Sequence, residues 1–345
     1  MKIGSREISD KKPPFIVGEI SGNHNGSLKN AIRMIKLAKR ANLDAIKFQT
    51  YTADTITMKS NRKEFFITNR KNIWKNMSLY KLYDKASTPW NWHETIFKEA
   101  RKNKILCFSS PFDETAVDLL EDLKAPAYKI ASFENMHYPL IQKVAKTKKP
   151  VIISTGLATF KELIELKNFL DEIKCKNYAL LKCTSSYPAK SFDLNLKTIL
   201  DMKKKFNCEI GFSDHTIGIS SALGAVALGA SIIEKHFVLK KNLGIDSKFS
   251  SDFKEICELK KKSLEVWESL GKTFYGPTKS EKVYKIYTRS IYAQKNIKIG
   301  DKFTNKNVKV IRPGFGLHPK FLKILLKKRS KKNIKFGGPI KRSDF

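Results

Sequence analysis

Along the first part of the chain, short apolar runs recur, each nearly continuous and each ending in polar side chains. Eight stand out: Phe15–Ile20, Ala45–Gln49, Ile105–Ser109, Ala127–Ala131, Val151–Ser154, Tyr178–Cys183, Glu209–Ser213 and Ile232–His236. Runs without polar alternation predict strands covered on both faces. Helical spacing fills the intervals. Leu28–Ala41 places Ala31, Ile32, Met34, Ile35, Leu37 and Ala38 on one broad face, and Phe160–Ile173 and Leu196–Phe206 follow the same rule. The strands recur every 20–30 residues or so, the size of one βα unit, and eight such units in about 260 residues predict a TIM (β/α)8 barrel. A doubly wound sheet requires neither eight strands nor such regular polar endings. One interval is longer: Tyr51 to Lys104 holds an insertion rich in aromatic residues and lysine.

The uncharged stretch Thr216–Ile233 reaches the length of a membrane span, but Gly218, Gly224 and Gly229 interrupt it. It reads as a buried helix running into a buried strand. After Lys272 the pattern changes. Residues 1–271 are assigned to the barrel, 272–288 to a linker containing Tyr275–Ser280, and 289–345 to a small β-rich domain. In the last segment Ser290–Gln294 and Val308–Ile311 alternate like strands, and Pro313-Gly314 marks a turn. A domain of this size is marginal alone and is expected to lean on the barrel or on a partner subunit.

Composition adjusts this picture only in part. The chain has 345 residues, 41% of them hydrophobic, enough for a large core. Its formal net charge is +34, which taken alone suggests a polyanion partner. Lysines run along the whole chain, however, and tracts such as Lys203–Lys205 and Lys260–Lys262 are short. The expectation is a lysine-rich solvated surface, with no nucleic-acid and no membrane partner, that draws in small anions. The five cysteines form no C-x-x-C pair and read as free thiols of a reducing compartment. Met1–Pro14 lacks the apolar core of a signal peptide, so the expected location is cytoplasmic.

In a barrel the strand ends converge on one face, where active sites are built. Lys47 and Lys129 lie inside apolar strands, where lysine is costly unless paired or functional. With the hydroxyls of Ser110, Ser132, Ser154 and Ser213 they form a candidate phosphate or carboxylate cradle. Ser109, Lys182, Asp214 and Lys235 stand at the same strand ends. His215 and His236 end consecutive strands. They either share a divalent ion, which a mixed nitrogen and oxygen shell would make Mn²⁺ or Mg²⁺, or are two hydrogen-bonded histidines. Glu19, among apolar neighbours, is either paired or an acid/base with a raised pKa. Glu234 is the other strand-end carboxylate. Asp246, in a loop after Gly244, reads most simply as an exposed aspartate, although it could orient a sugar hydroxyl or a water.

Several of these residues fall in longer motifs: Glu19-Ile-Ser-Gly-Asn-His-Asn-Gly26, Lys47-Phe-Gln-Thr50, Tyr128-Lys-Ile-Ala-Ser132, Ile153-Ser-Thr-Gly156, Lys182-Cys-Thr-Ser-Ser-Tyr-Pro188, Gly211-Phe-Ser-Asp-His-Thr216 and Ile233-Glu-Lys-His-Phe237. In order and spacing these resemble the sialic acid synthase family. The segment through Arg312-Pro-Gly-Phe-Gly316 looks like that family's antifreeze-like (SAF) domain. Gln49–Thr57 and Arg312–Pro319 are similar to its pseudaminic acid synthase branch.

The resemblance implies a metal-dependent condensation of phosphoenolpyruvate with 2,4-diacetamido-2,4,6-trideoxy-L-altrose, giving pseudaminic acid and phosphate. It implies a phosphoenolpyruvate site of Lys47, Ser110, Lys129, Ser132, Ser154, Ser185 and Ser213, and Mn²⁺ or a similar ion on His215 and His236. Glu19, Gln49, Tyr187, Glu234 and Asp246 would line the sugar side, and Arg312 would reach the other subunit of a domain-swapped homodimer. The nearest alternatives are the same chemistry on N-acetylmannosamine or on the legionaminic acid precursor. Further off lies a Schiff-base aldolase using Lys182.

Overall fold

The eight apolar runs become eight parallel strands: β1 (Phe15–Glu19), β2 (Ala45–Thr50), β3 (Leu106–Pro111), β4 (Tyr128–Ile130), β5 (Val151–Ser154), β6 (Tyr178–Cys183), β7 (Glu209–Asp214) and β8 (Ile232–His236). In this computed structural model, which describes residues 1–68 and 73–345, each strand pairs with the next and β8 pairs with β1, closing the barrel. The insertion between Tyr51 and Lys104 thus includes residues 69–72, which lie outside the described residues. The chain forms two compact units, Met1–Gly271 and Lys272–Phe345.

The period of two along a strand sorts every side chain to the barrel interior or to the helical shell. Near the strand starts the interior is apolar: Phe15, Val17, Ala45, Phe108, Ala127, Ile152, Ala179, Leu181 and Ile232 form one cluster, joined by Ile3 and Ile8. Ile3 belongs to a hairpin of Lys2–Ile3 and Arg6–Glu7, and Ile8 follows it directly. Deleting a fully buried side chain such as Phe108 from a layer of this kind costs about 3–5 kcal/mol. One or two inward positions further along, the same strands switch to Glu19, Lys47, Gln49, Ser110, Lys129, Ser154, Ser213, Glu234 and His236. An apolar plug supports a polar floor.

Outward residues Ile16, Ile46, Phe48, Tyr128, Ile130, Ile153 and Ile233 belong to the larger core against the helices. Those helices are set by local signals. In Leu28–Arg40 the Ser27 side chain caps the start by accepting from Asn30 N, and Ala31, Met34, Ile35 and Ala38 are buried. Phe160–Glu172 and Phe253–Leu270 begin with capping boxes, Thr159 with Glu162 and Asp252 with Glu255. The uncharged stretch forms the helix Ser220–Ala227 and then β8. Among the described residues no helix is long and apolar enough to cross a membrane.

Alternation also corrects the inventory of strand ends. Ser109, Lys182, Asp214 and Lys235 face the shell. Ser109 Oγ lies 2.7 Å from Thr50 Oγ1, which in turn meets His93 Nε2 at 2.8 Å. Lys182 Nζ donates to the Cys183 carbonyl at 2.9 Å. Lys235 and Asp214, both without exposure, form an ion pair at 2.9 Å.

In the second unit Ser290–Ala293 (β9) pairs antiparallel with Val308–Ile311 (β10). Ile291, Ala293, Ile297, Phe303, Val308, Leu317, Leu325, Ile334 and Ile340 form its core. Residues 281–287 form a 3₁₀ segment with no buried side chain.

Candidate active site

At the C-terminal ends of the strands lies a cavity of about 530 Å³, whose lining includes Glu19, Lys47, Gln49, Lys129, Ser132, Ser154, Ser185, Tyr187, Ser213, His215, Glu234, His236 and Asp246. Parity and register place most of these. Glu19 stands opposite Lys47 on one side and His236 on the other. Glu234 stands opposite Ser213, and Gln49 opposite Ser110.

The floor is a chain of buried charges. Lys47 Nζ lies 2.7 Å from Glu19 Oε2 and 3.7 Å from Glu234 Oε1, and Lys129 Nζ lies 3.6 Å from the same Glu234 oxygen. The ammonium of Lys47 satisfies Glu19 Oε2 through this ion pair. Lys47 donates to Ser110 Oγ at 3.2 Å and Lys129 to Ser154 Oγ at 2.6 Å. Gln49 Nε2 donates to Glu19 Oε1 at 2.9 Å, and Ser213 Oγ meets Glu234 Oε1 at 3.4 Å. Glu234 Oε2 is buried without a partner. Unsatisfied buried acceptors are rare, and this one belongs to a residue that lines the cavity.

The two carboxylates differ in character. Burial pushes the Glu19 carboxyl up to about 7, against the pull of Lys47, and the Glu234 charge adds to the rise. Burial alone would raise Glu234 too, yet Lys129, Lys47 and His215 hold it below the ordinary carboxylate range. Glu19 is therefore poised to exchange a proton near neutrality while Glu234 stays ionised, a separation suited to acid/base work. Lys129 is lowered by burial, which outweighs the attraction of Glu234. Lys47, which is also buried, is held up by Glu19 and Glu234.

A second cradle lies beside Lys129. Gly156 N donates to Ser132 Oγ at 3.2 Å, and Asn135 Nδ2 ties down the Ser154 and Gly156 carbonyls at 3.2 and 3.1 Å. A β-carbon on Gly156 would fall 2.2 Å from Ser185 Oγ and 2.6 Å from Ser132 Oγ. Only glycine lets the backbone approach these hydroxyls.

The histidine rings are 5.3 Å apart between centroids. His215 Nδ1 lies 3.0 Å from the Thr184 carbonyl. A carbonyl only accepts, so Nδ1 carries a proton; burial lowers the His215 pKa, but Cys183 and the Thr184 carbonyl outweigh it and raise it, so Nε2 offers a lone pair to an ion only on losing a proton of its own. His236 Nδ1 is buried without a hydrogen-bond partner, 3.9 Å from Asp246 Oδ2. Burial, reinforced by His215 and Lys47, keeps His236 neutral. Among the described residues no three His, Cys, Asp or Glu side chains converge as a metal cage. The residues fit an ion with two protein ligands and an otherwise open shell.

Asp246 is not the exposed loop residue that sequence alone favoured. It is 5% exposed, and burial raises its carboxyl despite hydrogen bonds from Ser21 and Gly22. Asn23 fastens this loop to the end of β1. Its Nδ2 donates to Phe237 O at 2.9 Å and Ser250 Oγ at 2.8 Å, and its Oδ1 accepts from Asp246 N at 3.2 Å. Tyr187 packs on the His215 ring at 4.5 Å and on Phe249 at 5.3 Å. Arg312 belongs to the second unit, where it is exposed.

Sequence reading missed several lining residues. Glu134 has a buried, unpartnered oxygen, and burial lifts its carboxyl to about 7. Its signal was its place two residues after Ser132. Cys183, read only as a free thiol, is indeed free and buried, but inward parity puts its Sγ 3.8 Å from His215 Nδ1. The insertion supplies Tyr51, Ile67, Trp74, Leu79, Leu82 and Tyr83, an apolar wall over the polar floor. Trp74 reaches Tyr187, with ring centroids 5.7 Å apart, and donates Nε1–H to Ile245 O at 3.2 Å.

Residues 34–275 match the model of the NeuB family, and residues 288–345 match the SAF domain. The chain belongs to the NeuB family. It is 45% identical to a pseudaminic acid synthase of Campylobacter jejuni subsp. jejuni serotype O:2, covering 100% of both chains. To the N,N'-diacetyllegionaminic acid synthase of that same organism it is 35% identical over 94% of this chain and 98% of the other. Among solved structures, an N-acetylneuraminic acid (sialic acid) synthetase from Leptospira borgpetersenii superposes with a TM-score of 0.72 at 32% identity, covering 82% of this chain and 94% of that one. The barrel with a C-terminal SAF domain is thus a NeuB-family architecture. Lys182, turned to the shell, does not occupy the position a Schiff-base lysine of a NeuB-type pocket would need.

Proposed function

We propose that this NeuB-family chain is a pseudaminic acid synthase, a transferase that joins phosphoenolpyruvate to 2,4-diacetamido-2,4,6-trideoxy-L-altrose. The full-length similarity to a pseudaminic acid synthase, ten percentage points above that to the legionaminic acid synthase, favours this sugar. The observation that carries the chemistry is the buried Glu19–Lys47–Glu234–Lys129 chain beside two histidines. It offers cations for an enol phosphate next to a carboxyl that exchanges protons near neutrality.

Lys47, Lys129, Ser110, Ser132, Ser154, Ser185 and Ser213 hold the phosphate and carboxylate of phosphoenolpyruvate. His215 and His236 would hold a divalent ion, Mn²⁺ or Mg²⁺, which when bound supplies Lewis acidity to an aldehyde oxygen. Gln49, Tyr187, Glu234 and Asp246 orient the open-chain sugar. Carbon 3 of phosphoenolpyruvate bonds to the aldehyde carbon, and the electron deficiency at carbon 2 is met by water. Glu19 takes a proton from that water. The C–O bond to phosphate then breaks as the added hydroxyl gives its proton to the departing phosphate, leaving the ketone, while Glu19 passes its proton to the former aldehyde oxygen and Lys47 and Lys129 stabilise the departing charge. Arg312 completes the pocket from the partner of a domain-swapped homodimer, and the enzyme works in the cytoplasm.

The test is phosphate release from phosphoenolpyruvate with Mn²⁺ and each candidate sugar. Turnover with the altrose substrate is expected. Turnover with N-acetylmannosamine alone would remove the pseudaminic assignment, and turnover that survives chelation with pyruvate trapped on Lys182 would remove the condensation itself.

A further inference from the structure

The charge of +34 is not evenly shared. Residues 272–345 hold twenty-one Lys and Arg against three Asp and Glu, a formal +18, and the 271 residues before them hold the other +16. A general preference for lysine would load both units alike and would not thin out the carboxylates. Lysines do run along the whole chain, but the net charge is concentrated once the two units are separated.

The few acids of the second unit neutralise little. Among its described residues the one ion pair joins Lys332 to Asp344 at 2.8 Å. Glu281 accepts from Thr278 N and Asp301 from Lys298 N, both at 2.7 Å. The remaining cations are left to solvent.

A group of them, Lys298, Lys302, Lys327, Lys328, Arg329, Lys331 and Lys335, lies on or beside a ribbon made by residues 297–302 and 329–334, joined through Ile297 with Ile334 and Lys302 with Arg329. Ile297 and Ile334 turn into the core. Lys327, Lys328, Lys331 and Lys335 are exposed on or beside the ribbon. Beside them stand two large apolar side chains, Ile299 at 65% and Phe336 at 72% exposure. Hydrogen bonds hold both to the ribbon, from Ile299 N to Asn333 Oδ1 at 2.9 Å and from Phe336 N to Asn296 Oδ1 at 2.7 Å.

We propose that this face of the second unit binds the surface of anionic lipid bilayers, with its lysines at the headgroups and Ile299 and Phe336 in the interface. Clustered cations next to protruding apolar side chains suit the boundary between headgroups and acyl chains. Ile299 gives a nucleic-acid base nothing to stack on, and Phe336 is a single aromatic where successive bases need a series of them, which favours lipid over single-stranded nucleic acid. With no spanning helix among the described residues, attachment would be peripheral and reversible. It is independent of the reaction in the barrel.

The test is co-sedimentation of the full-length protein with vesicles of phosphatidylcholine alone or mixed with phosphatidylglycerol. Pelleting with the anionic vesicles only is expected, weakening as salt is added. Changing Lys327, Lys328, Lys331 and Lys335 together to Gln should lower partitioning at least tenfold, because each surface cation adds severalfold. Ile299→Ser with Phe336→Ser should weaken partitioning while the salt dependence persists. Changing four exposed barrel lysines, Lys29, Lys98, Lys146 and Lys254, to Gln should leave it within about threefold, the allowance for non-local charge. The proposal is overturned by pelleting with neutral vesicles, by no pelleting, or by equal losses in the two lysine variants. It is also overturned if single-stranded DNA at equal phosphate concentration strips the protein from the vesicles.

Discussion

Replacing Lys235 with Met should destabilise the barrel by about 3–5 kcal/mol, the cost of leaving a buried ion without its partner. The pair is deeply enclosed: Lys235 Nζ and Asp214 Oδ2 are 2.9 Å apart and neither side chain is exposed. Lys235 also donates to the Thr216 carbonyl, so Met strands two acceptors. Asp214 would keep the bonds its Oδ1 accepts from Thr216 N at 2.9 Å and Thr216 Oγ1 at 2.8 Å. Those bonds define the partner variant. In Asp214→Asn with Lys235→Met, the amide oxygen still accepts from Thr216, no charge is buried, and the amide NH₂ faces the vacated carbonyl. The double variant should cost only about 1–2 kcal/mol, the net worth of one or two neutral hydrogen bonds.

Urea unfolding followed by tryptophan fluorescence measures this cleanly, because all four tryptophans lie in the first unit. With an m-value near 3 kcal/mol/M for a unit of this size, the single variant should lower the midpoint by about 1–1.7 M and the double variant by about 0.5 M. A single variant within about 1 kcal/mol of the parent, or a double variant no better than the single, would refute the reasoning. The stakes reach the site. Lys235 and Asp214 are register partners and immediately precede His236 and His215, so the pair fixes how the two imidazoles meet.

Three further outcomes follow from the geometry. Glu19→Gln keeps the amide-sized side chain beside Gln49 but removes the proton-exchanging group, so kcat should fall 10²–10⁴-fold with the KM for phosphoenolpyruvate little changed; equal kcat would rule Glu19 out as acid/base. Gly156→Ala drives a methyl group to 2.2 Å from Ser185 Oγ, so the KM for phosphoenolpyruvate should rise at least tenfold, by a loss of about 1.4 kcal/mol of binding, while the urea midpoint moves far less. His24 is buried beside His93, and that burial, with repulsion from His93, lowers its pKa from 6.5 to about 4. Its unfolded form binds a proton that its folded form refuses, so its contribution is fully present above pH 6.5 and is lost as pH falls toward 4. Urea midpoints should drop accordingly, by on the order of 3 kcal/mol at the low end, and His24→Gln should flatten that slope; an unchanged slope would count against it.

The barrel was legible because its strands carry unbroken apolar runs whose spacing admits few alternatives. The polar floor was legible for the same reason, since Lys47 and Lys129 are conspicuous where lysine is expensive. What escaped were properties of loops. Asp246 looks exposed in sequence because its burial depends on Asn23, more than two hundred residues earlier, donating to Phe237 and Ser250. The apolar wall of Trp74, Leu82 and Tyr83 was visible only as an aromatic-rich insertion, because nothing local says which side of the barrel mouth an insertion covers. The concentration of charge after residue 271 was countable from the start, but it acquires meaning only when the second unit is seen, among its described residues, to pair just one of its lysines, Lys332, with an acid.

The two histidine motifs show how strand geometry divides labour among neighbouring polar residues. Ser213-Asp214-His215 and Glu234-Lys235-His236 each read inward, outward, inward. Read linearly, six polar residues compete for one pocket. Folded, four of them meet in the cavity and the outward two neutralise each other behind it. An acid and a base in the middle positions therefore serve a different purpose from their neighbours. They allow two polar strand ends to be packed under helices, and they do so only as a pair. A strand end of three polar residues beside another with opposite middle charge thus has a physical explanation that does not require every residue to touch substrate. Counting only the inward members gives the site its chemistry of two histidines, one carboxylate and one hydroxyl from these two strands.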